Sequence, residues 1–315
     1  MKMKTELVAV NQTELKTLDS VDELASRFFD FLDISPASLK AYKTGVKTFL
    51  AFLHSEGISQ PTRETILGFK KALTAKYSPA TTALYLTAVR RFFDWCSVEG
   101  LYSDITRGVK SPKLSHSHKK DAFSAKEVRR VIKSVSRESL QGLRDFALIS
   151  LIASCGLRTI ETVRADVGDF RRVAGQMVLY IQGKGHAEKD AFVKIAPPVE
   201  KALTDYLKAR GKASDDEPLF ASCSRRNHGK RLTTRTVSSV CKSAMIRAGF
   251  DSKRLTAHSL RHTAVTLALL QGNSIDDVKE FARHSSINTT MIYNHAVNRM
   301  NSNCENSVSQ AIFGR

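Results

Sequence analysis

The chain has 315 residues, with 49 Lys and Arg against 31 Asp and Glu, a formal charge of +18 at pH 7. That length fits two domains, an apolar share of 42% is ordinary for a soluble globular protein, and the basic excess points to a polyanionic partner whose phosphates it would neutralise. Five scattered cysteines without a C-x-x-C pair suggest neither a disulfide framework nor a structural zinc site, and no apolar run reaches the ~20 residues of a membrane span, so a cytoplasmic protein is expected.

Residues 1–19 read as a polar tail lacking the apolar core of a signal peptide. A capping box at Ser20-Val21-Asp22-Glu23 predicts a helix with Leu24, Phe28, Phe31 and Leu32 on one face. Ser35-Pro36 pairs an N-cap with a first-turn proline and opens a second helix, striped by Tyr42, Val46, Phe49, Leu50 and Leu53 and ended by Gly57. A third helix is expected from about Arg63 to Ala75. A fourth starts at Ser78-Pro79 and carries Leu84, Leu86, Val89, Phe92, Phe93 and Trp95. Residues 20–107 therefore read as an all-helical module. Of the cations on its polar faces, Lys43, Lys47, Arg90 and Arg91 are the candidates for contact with DNA phosphates. Residues 108–120, rich in Gly, Pro, Ser and Lys without periodicity, read as a basic linker, and its Lys119 and Lys120 would track a phosphate backbone.

A second module is expected over 121–299. It opens with the capping box Ser124-Ala125-Lys126-Glu127, and the apolar stretch from Phe146 to Ala153 reads as a buried helix running to Cys155. Val178–Ile181 and Ala191–Ile195 read as strands of a hairpin around Gly183-Lys184-Gly185. Helical periodicity then returns, clearest over Ser259–Gln271, Ser274–Ala282 and Thr289–Arg299. The expected class is mainly α with a small antiparallel β-sheet, arranged as a two-domain clamp.

Six residues of this module together suit attack on a phosphate ester. A phosphodiester repels nucleophiles, so cleavage without a metal needs fixed cations on its oxygens, an in-line nucleophile and a proton donor for the leaving oxygen. Arg158 and Arg261 supply forked, permanently charged donors. Glu161 stands one helical turn beyond Arg158, where it could hold that side chain, and His258 shares a helix face with Arg261. His262 falls off that face and reads as structural. His284 precedes the start of the last expected helix, which carries Tyr293; its phenol, with a pKa of ~10, needs a base and cationic surroundings to act. Lys184, between two glycines, could protonate a leaving oxygen if the hairpin folds over a phosphate. Each signal is weak alone, and their ordered co-occurrence is specific.

Gly156-Leu157-Arg158 with Glu161, Lys184 in a hairpin, His258-Ser259-Leu260-Arg261-His262-Thr263 and His284 ahead of Tyr293 make the chain similar to the tyrosine site-specific recombinases, the family of phage integrases and Xer-type recombinases. The resemblance runs from about Val21 into the tail. It implies a helical core-binding domain and a catalytic domain. Arg158 and Arg261 would clamp the scissile phosphate, Lys184 would be the general acid, and His258 an acid/base or positioning group. His284 would bond the phosphate, and Tyr293 would form a 3′-phosphotyrosine. It implies no metal and no cofactor, since the covalent link stores the phosphodiester energy. The implied partners are double-stranded DNA recombination sites and a homo-tetramer on DNA, monomeric when free, with an accessory DNA-bending or directionality factor in some systems. A tail over 300–315, with Val308, Ala311, Ile312 and Phe313 as an apolar stripe, would dock on a neighbouring subunit.

The chain departs from the usual Leu-Gly before the penultimate histidine, having Ala282-Arg283, and reads Ile160-Glu161-Thr162 after the first arginine. These departures lean towards integration or excision of a mobile element. The alternatives are a chromosome-dimer resolvase of Xer type, a type IB topoisomerase, and a DNA-binding regulator without catalysis.

Overall fold

Two proline-started helices frame the N-terminal unit of this computed structural model, which describes residues 18–113, 121–183 and 187–314. The chain divides into one unit up to Ser115 and another from His116.

The first unit holds α1 (Leu18–Phe31), α2 (Pro36–Ser55), α3 (Arg63–Lys76) and α4 (Pro79–Val98). The Ser35 and Ser78 hydroxyls accept the N–H groups of Ser38 and Thr81, both at 3.3 Å. The proline after each cap has no N–H to leave unpaired. Gly45 lets α2 and α4 approach closely, since a β-carbon there would stand 2.9 Å from that of Ala88. Between the helices lies an aromatic core of Phe28, Phe49, Phe69, Phe92, Phe93 and Trp95. Its rings meet edge to face, as Phe49 and Phe69 do at 5.0 Å and 68°.

Several boundaries differ from expectation. Helix α1 begins at Leu18, so Ser20 lies inside it and Leu18 and Asp19 are not tail; residues 1–17 lie outside the described residues. Phe31 ends α1 and is exposed, its ring 6.4 Å from that of Trp95. Leu84 is exposed as well, because two residues turn a helix by about 200° and carry it away from buried Leu86. The expected linker starts as part of this unit. Val109 is buried, and Arg90 donates to its carbonyl at 2.5 Å and to the Ser111 hydroxyl at 2.9 Å.

The second unit opens with α5 (Ala125–Lys133), closed by its capping box: the Glu127 carboxylate accepts the Ser124 N–H at 2.8 Å. Then come α6 (Leu140–Cys155), α7 (Thr159–Arg164), a 3-10 turn, and the strands β1 (Phe170–Val173), β2 (Gln176–Ile181) and β3 (Ala191–Lys194). The strands form one antiparallel sheet in the order β1-β2-β3, with Leu179 opposite both Phe170 and Val193. Strand β1 was not expected, because its residues are largely exposed and leave no apolar alternation. Helices α8 (Pro197–Arg210), α9 (Thr234–Arg247), α10 (Ala257–Leu270), α11 (Ile275–Ala282), α12 (Ile287–Asn301) and α13 (Cys304–Phe313) complete the unit. Helix α6 is its core, with Leu148, Ile149, Leu151 and Ile152 fully buried. A smaller apolar cluster of Val265, Leu269, Val278, Ala282, Tyr293 and Val297 ties α10, α11 and α12 together. Helix α12 runs two residues past the expected boundary at 299, and α13 follows where only a tail was expected. The molecule is mainly helical with one small antiparallel sheet, as the sequence implies. Among the described residues no helix is long and apolar enough to cross a membrane.

Candidate active site

The site begins where α6 stops. Gly156 takes the left-handed conformation, φ 58° and ψ 33°, which a residue without a β-carbon adopts at little cost. The chain turns there and sets Arg158 at the N-terminal end of α7. Glu161, one turn later and 0% exposed, accepts the Arg158 N–H at 2.8 Å and its Nη1 at 2.7 Å. Burial alone would raise the pKa of this carboxyl, but the charge of Arg283 and the donors around it outweigh that, and the group sits below the usual Glu value.

Helix α10 brings in Arg261, 2% exposed, which donates to the carbonyls of Gly156 and Ala282. Burial and the neighbouring Arg158 and Arg283 lower its pKa to about 10. Such a shift marks a guanidinium whose charge is incompletely compensated, the state that an anion would relieve.

The third contribution comes from the turn between α11 and α12. Arg283 ends α11 at φ 53° and ψ 49°, and the His284 N–H closes back on the Lys279 carbonyl at 3.1 Å. The Arg283 guanidinium donates to the Phe281 carbonyl at 2.5 Å, the Gly156 carbonyl at 3.0 Å and Glu161 Oε2 at 2.9 Å. Arg158 Nη2 donates to the Arg283 carbonyl at 3.0 Å. Sequence reasoning treated Arg283 only as a departure. The signal was there: a basic residue where a helix C-terminus favours glycine. His284 is buried, and its Nδ1 lies 2.9 Å from Oγ1 of fully buried Thr290, a second residue the sequence reading passed over.

Tyr293 stands on the second turn of α12, capped by Ser286, and is 3% exposed. Its ring centroid is 5.9 Å from that of His284 and 4.4 Å from that of His262. Burial pushes the phenol pKa above 10.0, while Arg261 and Arg158 pull it back. His262 is therefore a neighbour of Tyr293 rather than a residue apart. A one-turn step along α10 aligns it with His258 at 6.3 Å, and only His262 of the two is covered by Tyr293 of α12. His258 itself is exposed, beside a cavity of about 310 Å³ lined also by Arg158 and Thr159.

The structure thus gathers Arg158, Glu161, Arg261, His284 and Tyr293, with His258 at the edge. Lys184 lies outside the described residues. The base of its hairpin is anchored: Arg164 donates to the Gly183 carbonyl at 2.9 Å, and Lys189 reaches Asp166 and Asp169, each at 2.5 Å. Among the candidate DNA contacts, Lys43, Lys47 and Arg91 are exposed, and Lys43 lies 5.4 Å from the Phe29 ring centroid. Arg90 is half-buried on Val109 and Ser111, which makes it a brace of its own unit; Lys119 and Lys120 lie outside the described residues. Among the described residues no group of three or more His, Cys, Asp or Glu is placed to hold a metal ion.

Residues 122–299 match the model of the phage integrase family, and residues 25–100 match the phage integrase N-terminal SAM-like domain. The tyrosine recombinase XerC of Herpetosiphon aurantiacus is 30% identical over 271 residues, covering 83% of this chain and 85% of that protein. The tyrosine recombinase XerD of Listeria innocua is 27% identical over 286 residues, covering 87% and 94%. Among solved structures, the XerH recombinase on palindromic difH substrate shares the fold at a TM-score of 0.70 and 19% identity, over 93% of this chain and 84% of that one. A lambda integrase dimer on a COC′ core site does so at 0.65 and 17% identity, over 86% and 94%. The matched segment contains Arg158, Arg261, His284 and Tyr293. The chain belongs to the phage integrase family, the tyrosine recombinases.

Proposed function

We propose that this chain is a site-specific DNA recombinase working through a 3′-phosphotyrosine. The Tyr293 oxygen attacks the scissile phosphorus, its proton passing to His258, and the bond to the 5′ oxygen breaks. That oxygen leaves with a proton supplied by Lys184. A 5′-hydroxyl from the partner strand then reverses the step and frees the tyrosine. Arg158 and Arg261 bind the non-bridging oxygens, Glu161 holds Arg158, His284 bonds the phosphate, and His258 assists proton transfer at the open edge. Side chains supply the cations, so the reading takes no metal and no cofactor. One observation carries it: two guanidiniums anchored on main-chain carbonyls share a site with a buried tyrosine.

A nicked suicide substrate traps the intermediate. Wild-type protein is expected to form a covalent adduct on a denaturing gel, and Tyr293→Phe none. An adduct that persists in Tyr293→Phe sinks the assignment.

The DNA partner follows from the +18 charge and this chemistry. We take the biological role to be integration or excision of a mobile element, on the motif departures at Ala282-Arg283 and Ile160-Glu161-Thr162. The similarity to relatives named XerC and XerD favours a second reading, resolution of chromosome dimers. Deleting the gene separates the two, since dimer accumulation supports resolution and loss of an excised circle supports the element. Relaxation of a supercoiled plasmid without a partner site would point to a type IB topoisomerase. The expected setting is the cytoplasm, at the nucleoid.

The assembly is proposed as a tetramer on DNA, monomeric when free and open to an accessory bending factor. Helix α13 exposes Val308, Ile312 and Phe313, and a groove of about 670 Å³ with Val128, Ile132, Leu267, Val278 and Phe281 in its walls opens between α5, α6, α10 and α11. The α13 of a second copy is its proposed occupant. Removing residues 304–315 is expected to abolish cooperative binding; unchanged cooperativity would refute the docking.

A further inference from the structure

Helix α11 ends in a backbone conformation that glycine adopts most easily, and an arginine stands there at φ 53°. The conformation disfavours a side chain, so what that side chain does needs a reason. It makes three bonds within the site, to the Phe281 and Gly156 carbonyls and to Glu161 Oε2, and its Nε is buried. Buried in this way, Nε has no path to a DNA phosphate. The work of Arg283 is done on other residues.

Those residues are the two arginines of the clamp. Glu161 is fully buried and offers two oxygens. With a single arginine in reach, a carboxylate draws the whole fork into a bidentate pair. Here Oε2 takes both the Arg158 main-chain N–H and Arg283 Nη2, leaving Arg158 Nη1 on Oε1 alone, and Arg158 Nη2 is turned onto the carbonyl of Arg283 itself. The Gly156 carbonyl takes Arg283 on one side and Arg261 on the other. One residue therefore touches the supports of both clamp arginines.

We propose that Arg283 is a positioning residue for the phosphate clamp: it shares Glu161 and the Gly156 carbonyl so that Arg158 and Arg261 keep separate, fixed orientations towards the scissile phosphate. This rests on reading Arg158 and Arg261 as the clamp. The positive charge it adds beneath the site also keeps Glu161 ionised despite burial.

The experiment compares Arg283→Met, Arg283→Lys and Arg283→Gly with wild type. Each is measured for adduct formation on a nicked suicide substrate at saturating DNA, for DNA affinity by gel shift, and for Tm. Arg283→Met is expected to slow adduct formation by about tenfold or more while DNA affinity stays within about threefold, because lost orientation acts on the reacting geometry. Arg283→Lys is expected to recover part of the rate, since an ammonium still reaches Glu161. Arg283→Gly relieves the left-handed strain, so its Tm is held near that of wild type while its adduct rate falls as in Arg283→Met. Should Arg283→Met fail to fold, the glycine variant decides alone. Wild-type adduct rates in Arg283→Gly overturn the positioning role and leave the phosphotyrosine mechanism standing. A wild-type chain that forms no adduct overturns both.

Discussion

The ring of His262 lies 4.4 Å from that of Tyr293, centroid to centroid, with both side chains buried. The proposed nucleophile thus stands against an imidazole and within the field of Arg261 and Arg158. Its pKa is raised above 10.0 by burial, and the proposed attack requires loss of the phenol proton, so single-turnover cleavage should accelerate as pH climbs from 6 to 9. His262→Phe keeps an aromatic ring, somewhat larger than imidazole, and removes the nitrogens. Adduct formation is expected to fall by about tenfold or more with Tm little changed, measured by quenched-flow sampling on a suicide substrate.

Glu161 ties acid stability to the site. Its folded-state pKa lies below 4.5, so it contributes stability that is complete above the unfolded value and lost as pH falls through the folded one. Glu161→Gln leaves two arginines without their carboxylate and should cost about 3 kcal/mol at pH 7, the usual penalty for removing one partner of a buried pair. The same variant should lose less further stability than wild type between pH 5 and pH 3. Urea denaturation at several pH values reads both effects.

Thr290→Val removes the hydroxyl 2.9 Å from His284 Nδ1. The loss should be about 1 kcal/mol in stability, and cleavage should slow because the His284 ring is no longer held in one orientation and tautomer. Nitrogen chemical shifts of His284 report the tautomer, and an unchanged spectrum with unchanged cleavage would assign Thr290 to packing alone.

Arg261, its pKa lowered to about 10, should welcome an anion. Orthovanadate is expected to raise Tm with no DNA present, by the equivalent of about 2.7 kcal/mol at one hundred times its Kd. Arg158→Met should blunt the response in a differential scanning measurement. An equal response in that variant would place the bound anion elsewhere.

Local signals were readable and distant ones were not. Ser35-Pro36, Ser78-Pro79 and the Ser124–Glu127 box each complete their hydrogen bonds within one turn, so four residues of sequence locate each of these three helix starts. The Arg158–Glu161 pair was equally visible, because both partners sit on one turn. Arg283 could not be paired with Glu161 from sequence, since the contact exists only once α7 and α11 have docked. His262 was set on the wrong side by periodicity itself: it stands one turn beyond His258 and shares its face, while its contact with Tyr293 depends on where α12 packs. Strand β1 escaped because its order comes from bonds to β2 rather than from an apolar pattern of its own.

Phe281, Ala282 and Arg283 each present a main-chain oxygen to a different guanidinium, those of Arg283, Arg261 and Arg158. Since the acceptors are peptide oxygens, these bonds do not depend on the side chains at 281 and 282, which are held instead by packing around buried Ala282. Length is constrained as well. A one-residue insertion or deletion between Ala282 and His284 would carry the Arg283 carbonyl away from Arg158 while those of Phe281 and Ala282 stayed behind, so this stretch should accept no change of register.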